Sequence, residues 1–579
     1  MNTTKISKTK KFSTISLALL LGASSAIAAD AIYTAPSFFD EKGAYFGPDC
    51  DKTNYGGAYY TGDYTSPFKT YLGKTDAEIQ EKMDALWNHY FTGIQDKTVY
   101  FENGNEAYIK DINNDDVRSE GMSYGMMIAV QTGHKEQFDK LWNWAKNHMW
   151  HKSGEWDGYF SWKIKDSNSD SKPAPDGEMY FMMSLLFAAN RWNDAQYMED
   201  AQYILNKMWN NPQYQLFNTS SYIITFQPTQ GNNTWSDPSY DLPAYVDLFS
   251  RWSKTNQDKW QKAVTATRDH LYKSSNTSSG LFSDYNNFDG TPHGVDFNGD
   301  ATKYMYDAMR CAMNFGMDFY LFGADSVRQM EMANRIINFF EKDGYKHARF
   351  NWDGSNPSES YTQGEAGANA VAAMCLRSDK SAEDKIKKNL QNAWDTQFMT
   401  GQYRYYDGLV HYLAMLHLSG TFKIWKPKPA DPEKKTVEGG EYNGVKFDKD
   451  TTFQAFEGCK LYDVTVKAQG AAPIATDTTA KDTSATNPAT TDTSVVPVPA
   501  DTSTIAIASV KALNNARVWS THSTIVIENV APGTKYVVAD LNGRVIKSAK
   551  TVSSMQEISI NNKGAFLVIV GNKAFKVMK

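Results

Sequence analysis

Twelve predicted helices between residues 75 and 419 alternate between two kinds of surface, and this alternation strongly constrains the fold. Every second helix is apolar nearly all round, as in 120–130 and 179–187, whereas those between carry a charged face, as in 258–268. A helix that is apolar on all sides must be buried on all sides. Six buried helices inside six amphipathic ones predict an all-α (α/α)6 barrel. We expect its helices near residues 75–90, 120–132, 136–150, 176–190, 194–209, 238–253, 256–273, 304–321, 325–341, 363–376, 382–396 and 407–419.

The two ends of the chain differ from this helical region. Residues 1–28 join several lysines to a short apolar run and the small residues Ala26–Ala28, a pattern typical of a cleaved secretory signal peptide. The barrel is then assigned to residues 29–427, and 428–467 form an extension of unknown role. Residues 468–509 are rich in Ala, Thr, Asp and Pro and carry too few apolar side chains to form a core, which predicts a disordered linker.

Residues 510–579 return to runs of β-branched residues, with Asn542-Gly543 placed as a hairpin turn between two of them. This pattern predicts a small all-β sandwich. With Leu541–Arg544 and the closing segment Gly571–Lys573, it resembles the C-terminal sorting domain of proteins exported by the type IX secretion system. That resemblance implies secretion machinery as a partner and an extracellular or surface-attached location. A carbohydrate-binding β-sandwich is the rival interpretation, although one Trp and one Tyr leave little for a sugar platform.

Composition excludes several classes of protein. A formal charge of −6 and a pI near 6.0 argue against nucleic-acid binding, and a mean hydropathy of −0.55 argues against a polytopic membrane protein. Four cysteines are too few for a disulfide scaffold or a zinc site. Cys311 and Cys375 lie in apolar helices and are expected to be buried thiols, while a bridge between Cys50 and Cys459 stays open.

No metal and no cofactor is predicted. Residues 111–115 and 296–300 each begin like a calcium loop, with acidic or amide side chains at alternate positions. Neither has the glycine that such a loop needs at its sixth position, where Asp116 and Ala301 stand instead. The histidines show no metal-ligand spacing.

Each buried helix begins with an acidic residue, and parallel inner helices would bring these acids to one face of the barrel. Helix capping alone explains acids in first turns, and we expect Glu365 and Asp237 to be capping residues. Glu120 and Asp307 differ, because apolar residues surround them and Arg118 and Arg310 stand close in sequence. Aromatic residues crowd the same face, at Trp156, Tyr159, Trp162, Trp235, Tyr240, Tyr403 and Tyr406. Buried acids beside flat aromatic rings are suited to cleaving a polysaccharide.

Five motifs at these helix starts closely resemble glycoside hydrolase family 8, across essentially all of residues 31–427. They are Asp116–Met127, Ala174–Phe181, Asp237–Pro243, Tyr306–Arg310 and Tyr403–Gly408. The resemblance implies an (α/α)6 barrel that cleaves β-1,4 glycosidic bonds with inversion. Within the family, the endings Arg404–Asp407 and Leu416–Gly420 resemble the xylanase branch, which implies xylan of the plant cell wall as the substrate. Asp241 departs from that branch, which usually has His there.

Carried over residue by residue, the resemblance makes Glu120 the general acid and Asp307 the general base. It implies that Asp176 binds and distorts the sugar at the cleavage site, that Tyr240 holds the attacking water and that Arg310 orients Asp307. Further substrate-binding candidates are Trp162, Tyr403, Tyr406 and Arg118.

The mode of action rests on one loop. Relatives that release single xyloses from the reducing end resemble one another in a Leu-His-Pro loop that closes the cleft, whereas this chain has Ser360–Gln363. An open cleft and endo-β-1,4-xylanase activity are therefore expected, with exo-oligoxylanase activity as an alternative. Cellulose, mixed-linkage β-glucan and chitosan remain alternative substrates. A non-catalytic carbohydrate-binding protein is the alternative from another class, and the presence of Glu120, Asp176 and Asp307 together argues against it.

Overall fold

The computed structural model describes residues 38–49, 51, 55–94, 96–228, 233–429, 432–457 and 460–468, together with most of the C-terminal strands between 517 and 578. The predicted signal peptide, Cys50, Cys459, nearly all of the predicted linker and the Asn542-Gly543 turn lie outside these residues. Two short helices come first, α1 (Ala58–Thr61) and α2 (Pro67–Leu72). The twelve barrel helices follow as α3 (Asp76–Tyr90), α4 (Ser119–Thr132), α5 (Lys135–His148), α6 (Pro175–Trp192), α7 (Ala195–Asn210), α8 (Pro243–Trp252), α9 (Gln257–Ser274), α10 (Arg310–Leu321), α11 (Ser326–Asp343), α12 (Gln363–Ala373), α13 (Glu383–Asp395) and α14 (Tyr406–Ser419).

The six even-numbered helices from α4 to α14 form a closed inner ring. Along it α4 packs against α6, α6 against α8, α8 against α10, α10 against α12, α12 against α14 and α14 against α4. The odd-numbered helices pack on the outside of this ring. Nearly every residue of α6, α12 and α14 is buried, whereas α5, α9 and α13 bury only one face. The (α/α)6 barrel predicted from alternating apolar and amphipathic helices is confirmed.

Local capping chemistry fixes the start of α3. Thr75 and Glu78 form a reciprocal capping box at the start of α3, in which the Glu78 amide donates to Thr75 Oγ1 and the Thr75 amide donates to Glu78 Oε2. This helix then buries Ile79, Met83 and Leu86 on its inner face.

Two inner helices start later than predicted, and both delays matter for the site. The expected helix 304–321 begins at Arg310, because Lys303 and Tyr304 pair with the strand at 347–351 and a turn follows. Asp307 therefore lies in a turn and not in a helix. The expected helix 238–253 is divided into a 3-10 helix, Pro238–Tyr240, and α8.

Short strands in the barrel loops pair beside the N-terminal ends of the inner helices. They are β1 (Tyr100–Asn103), β2 (Glu106–Ile109), β3 (Val117–Arg118), β4 (Lys163–Ile164), β5 (Trp235–Ser236), β6 (Asn286–Asn287), β7 (Lys303–Tyr304), β8 (His347–Asn351) and β9 (Ser358–Ser360). All the pairings are antiparallel: β1 with β2, β3 with β4, β5 with β6, and β7 with β8 with β9. These pairings fix the chain segments that lead into α4, α8, α10 and α12.

The extension at 428–467 is a set of strands. It contains β10 (Glu433–Val437), β11 (Glu441–Tyr442), β12 (Val445–Lys446), β13 (Thr451–Glu457) and β14 (Lys460–Val466). β11 and β12 form a hairpin, and the other three form a sheet in the order β10-β14-β13.

The C-terminal region forms two small sheets, as the runs of β-branched residues predict. Its strands are β15 (Arg517–Ser520), β16 (Thr524–Glu528), β17 (Lys535–Asp540), β18 (Val545–Lys550), β19 (Met555–Ser559), β20 (Ala565–Val570) and β21 (Lys573–Met578). The sheet orders are β15-β16-β19 and β18-β17-β20-β21, and side chains of both sheets share one apolar core around Ile527, Val538 and Val568.

One further expectation concerns the burial of two cysteines. Cys311 and Cys375 are buried free thiols, as predicted. Within the described part of the chain, no helix combines the length and apolarity that crossing a bilayer requires.

Candidate active site

A cleft of about 750 Å³ opens beside the N-terminal ends of α4, α12 and α14 and the turn before α10. Six acidic residues contribute to its lining, namely Asp111, Glu120, Asp284, Asp307, Glu359 and Asp407. A larger cavity of about 930 Å³ lies at the opposite, C-terminal ends of α4, α6 and α14, remote from these acids. The parallel inner helices thus bring their first residues together at one face, as the barrel requires.

Arg310, the first residue of α10, is the centre of the site and is only 3% exposed. Its Nη1 donates to Asp176 Oδ2 at 2.7 Å, to the Tyr124 hydroxyl at 2.7 Å and to Glu120 Oε2 at 3.1 Å. Charge-assisted bonds of this kind fix geometry more firmly than neutral ones. One guanidinium nitrogen therefore holds the acids of two different inner helices in a fixed relation.

The second terminal nitrogen of Arg310 reaches the other side of the site. Its Nη2 donates to Ser239 Oγ at 2.7 Å and to Asp307 Oδ1 at 3.3 Å, and it lies 3.6 Å from Asp237 Oδ2. The resemblance implies a contact from Arg310 to Asp307. Ser239 and Tyr124 therefore also belong to the site. Our sequence analysis did not predict either residue.

Glu120 is held from the opposite direction by Tyr405, which donates its hydroxyl to Glu120 Oε1 at 2.9 Å. Tyr405 comes this close because Gly121 has no side chain: a Cβ there would stand 2.5 Å from the Tyr405 ring. The start of α4 is also fixed by the pairing of β3 with β4 and by the Ser119 amide, which donates to the Trp162 carbonyl at 2.9 Å. Both carboxylate oxygens of Glu120 thus have a donor.

Asp307 is supported through the backbone of its own turn. Asp284 Oδ1 accepts from the amides of Met305 and Ala308, at 3.1 and 3.0 Å, and these residues stand on either side of Asp307. The Asp307 side chain itself is 31% exposed, compared with 15% for Glu120 and 6% for Asp176. Asp307 is therefore the one of these three carboxylates with most access to solvent.

Burial raises the pKa of Glu120 to about 7. The positive charge of Arg310 opposes this rise, whereas the charges of Asp176 and Asp307 add to it. A carboxyl group that still holds a proton near neutral pH is suited to donate one to a leaving group.

Other buried acids of the site also favour the protonated state. Burial raises the pKa of Asp176, and it holds the pKa values of Asp237 and Asp284 well above their usual range. Repulsion from the charge of Asp307 is the second cause for Asp237 and Asp284. A crowded set of acids with little access to solvent keeps part of its protons, and Asp307 is more exposed than Glu120 and Asp176.

The predicted substrate-binding residues occupy three different positions. The Tyr240 and Tyr406 rings lie 6.0 and 5.8 Å from the Arg310 guanidinium carbon, which places both beside the acids. Tyr403 and Arg118 line the cleft, with Tyr403 60% exposed. The ring of Trp162 lies 5.7 Å from the Arg118 guanidinium carbon, so it adjoins the cleft through Arg118, and its part in binding stays a prediction.

The two acids expected to cap helices behave differently. Asp237 does cap the 3-10 helix, since its Oδ1 accepts from the Ser239 amide at 2.7 Å, and it also belongs to the Arg310 cluster. Glu365 is not a cap: Thr362 caps α12, while Glu365 is fully buried and accepts from Tyr304 and Asn369. The capping interpretation of Glu365 is therefore wrong, because a short polar residue three positions earlier takes that role.

At Asp241, the residue that departs from the xylanase branch, the structure supplies a histidine from elsewhere in the chain. His270 of α9 lies with its Nδ1 2.6 Å from Asp241 Oδ2, and both side chains are fully buried. Asp241 directly follows Tyr240 in the chain. Among the residues that the structure describes, no cluster of His, Cys, Asp and Glu has the arrangement of a metal site.

An (α/α)6 barrel with an arginine-linked group of acids beside aromatic rings is an arrangement suited to a carbohydrate-cleaving hydrolase. The chain belongs to the family described as glycosyl hydrolases family 8, whose model matches residues 101–419. This assignment accounts for all five sequence motifs and for the barrel.

Several characterised proteins are similar to this chain. It is 36% identical over 392 residues to a reducing end xylose-releasing exo-oligoxylanase of Halalkalibacterium halodurans, covering 65% of this chain and 98% of that protein. Endoglucanase C of Ruminiclostridium cellulolyticum is 25% identical over 319 residues, covering 53% of this chain and 65% of that protein. Among solved structures, Rex8A of Paenibacillus barcinonensis complexed with xylose matches with a TM-score of 0.60 and 34% identity, covering 64% of this chain and 100% of that one.

Proposed function

We propose that the protein hydrolyses β-1,4-xylosidic bonds of xylo-oligosaccharides with inversion of configuration. The observation that carries the proposal is the Arg310 cluster, in which one guanidinium holds Glu120, Asp176 and Asp307 around one point. Glu120 is the general acid, because its pKa of about 7 lets it retain a proton near neutral pH. Asp307 is the general base, because it is the more exposed acid and can contact a water molecule.

In this reaction Glu120 gives its proton to the glycosidic oxygen while the bond from that oxygen to the anomeric carbon breaks. Water attacks the anomeric carbon from the opposite face and loses a proton to Asp307. Asp176 and Tyr240 hold the sugar and the water at the point of cleavage. Arg310 holds the acids in fixed positions, and its positive charge stabilises the negative charge that forms on them during the reaction.

For the mode of action, we propose release of xylose from the reducing end, in place of the endo action expected from the sequence. Three relatives that are 32–36% identical and aligned over 94–98% of their own length are described as reducing-end xylose-releasing exo-oligoxylanases. The endoglucanases are only 24–27% identical. This makes xylo-oligosaccharides a better candidate substrate than cellulose.

Endo action on xylan is the second candidate, and one local observation favours it. At the position of the Leu-His-Pro loop, Ser360 is small and exposed, and Tyr361 packs against Phe340 and Tyr345, where its hydroxyl accepts from Asn369. Neither side chain supplies the bulk that a closed end of the cleft would need.

A reducing-sugar assay with chromatography of the products tests both candidates. The substrates are xylohexaose, xylan, carboxymethylcellulose, mixed-linkage glucan and chitosan. The proposal expects xylose and xylopentaose as the first products from xylohexaose, with little activity on the other polymers. Early xylotriose and xylobiose would support endo action, and activity confined to cellulose or chitosan would refute the choice of substrate. Tight binding without any hydrolysis would favour the non-catalytic alternative.

We also propose that the protein is secreted and that residues 510–579 target it to the secretion machinery. The proposal rests on the signal-like residues 1–28 and the resemblance of the C-terminal region to a sorting domain. A chain truncated after residue 467 should be retained in cells while the full chain reaches the medium or the cell surface. Equal export of both would refute a sorting role.

A further inference from the structure

A cluster of five aromatic rings extends from Tyr240 of the active site, and the proposed reaction uses only Tyr240 among them. We call Phe226, Trp235, Tyr240, Tyr285 and Phe297 the aromatic wall. The Phe226 ring is near its centre, stacked on Trp235 at 4.3 Å and parallel to Tyr240 at 6.2 Å between ring centroids. Tyr285 and Phe297 lie 4.7 and 6.0 Å from Phe226. The rings form one continuous surface.

Exposure increases along this wall. Tyr240 and Tyr285 are 7% and 8% exposed, Phe226 and Trp235 are half-buried, and Phe297 is 68% exposed. One side of the Phe297 ring packs against Phe226 and Tyr285, at 6.0 and 6.1 Å between ring centroids. Its other side faces solvent, and this exposed apolar surface contributes no free energy of burial to the stability of the fold.

The wall adjoins the catalytic cleft at Asn298 and Tyr240. Asn298, the residue after Phe297, lines that cleft together with Asp284 and Asp307. The neighbouring polar side chains are Asp296, which is exposed, and Asp300, which is partly exposed. An exposed ring beside amide and carboxylate groups offers a stacking face and acceptors for hydroxyl groups, the two features that a neutral sugar ring needs.

We propose that Phe297, backed by Phe226 and Tyr285, is a distal subsite that stacks a neutral β-1,4-linked sugar ring several positions from the bond that is cleaved. The inference deepens the proposed function and rests on it. Under reducing-end release, every extra sugar of a longer chain extends beyond the non-reducing side of that bond, so this is the side that the subsite serves. A short substrate would not reach it.

Chain-length dependence tests the subsite. Phe297→Ala and wild type are compared for kcat/KM on xylotriose and xylohexaose, with Tyr55→Ala as the matched control, because Tyr55 is a 55% exposed aromatic residue that lines a different cavity. We expect Phe297→Ala to lose about tenfold on xylohexaose, which corresponds to about 1.4 kcal/mol. It should lose nothing on xylotriose, and Phe297→Trp, which keeps a ring, should retain the preference for the longer chain.

The outcomes separate the two proposals. Equal rates of Phe297→Ala and wild type on xylohexaose, or an equal loss on both substrates, would overturn the subsite while leaving the proposed function intact. A wild type that cleaves neither oligosaccharide would overturn both. Binding of xylohexaose to Glu120→Gln, with and without Phe297→Ala, gives a readout independent of turnover: the subsite predicts about tenfold weaker binding of the double variant.

Discussion

Glu120→Gln is expected to stabilise the protein at alkaline pH while it abolishes hydrolysis. In the folded state burial raises the pKa of Glu120 from its ordinary value of 4.5 to about 7. Because the folded state favours the protonated form, this residue's contribution to stability is fully present below about pH 4.5. It is lost as the pH rises through about 7. Gln is neutral at every pH and of nearly the same shape, so it avoids that loss.

The size of the effect follows from the two pKa values. Each pKa unit corresponds to about 1.36 kcal/mol, so the interval from 4.5 to about 7 corresponds to about 3 kcal/mol. At pH 8 the free energy of unfolding of Glu120→Gln should exceed that of wild type by up to this amount. At pH 4.5 the two proteins should be nearly equal, apart from the charge-assisted bond to Arg310.

Urea unfolding at pH 4.5, 6 and 8, followed by near-ultraviolet circular dichroism, measures this difference. Glu78→Gln is the control, since Glu78 lies in an exposed capping box and bonds from Thr75 lower its pKa. That variant should gain nothing as the pH rises. A difference between Glu120→Gln and wild type that is the same at pH 4.5 and pH 8, or a less stable variant at pH 8, would refute the electrostatic account of Glu120.

Substitutions at three further residues test the contacts around the acids. Asp284→Asn keeps an oxygen that can accept from the turn carrying Asp307, so kcat should fall by less than about tenfold, whereas Asp284→Ala should lose at least about a hundredfold; equal losses would contradict a supporting role. Tyr405→Phe removes a donor to Glu120, so the alkaline limb of the kcat/KM profile should move to higher pH, and an unmoved limb would contradict this. Arg310→Met leaves buried carboxyl groups without their cation, and thermal unfolding at pH 7 should show a destabilisation of about 3–5 kcal/mol that shrinks at pH 4.5. A pH-independent loss for this variant would count against the cluster.

The barrel could be predicted from sequence because a helix that is buried on all sides is also apolar on all sides, and this pattern is visible in its sequence. Helices α6 and α14 have almost no exposed residue, and no outer helix shows that pattern. Boundaries were less predictable. The late start of α10 comes from the pairing of Lys303 and Tyr304 with a strand more than forty residues later, which local periodicity does not register.

The same limit applies to the active site. The acids at the starts of the inner helices could be predicted because the inner helices of the barrel are parallel. Residues at the start of each one therefore lie at the same face. Asp284 was missed, because it lies in a loop and acts through hydrogen bonds to Met305 and Ala308. Tyr405 was also missed, because only the three-dimensional path of the chain shows which of three neighbouring tyrosines turns toward Glu120.

The central claim is that Glu120 and Asp307 cleave xylosidic bonds with inversion, and NMR spectroscopy of the anomeric protons tests it most directly. With xylohexaose and wild type, the account predicts that each newly formed reducing end appears first as the α-anomer and only later equilibrates. Glu120→Gln and Asp307→Asn should give no such signal under the same conditions. A β-anomer that appears first, or hydrolysis by either variant at the wild-type rate, would contradict the account.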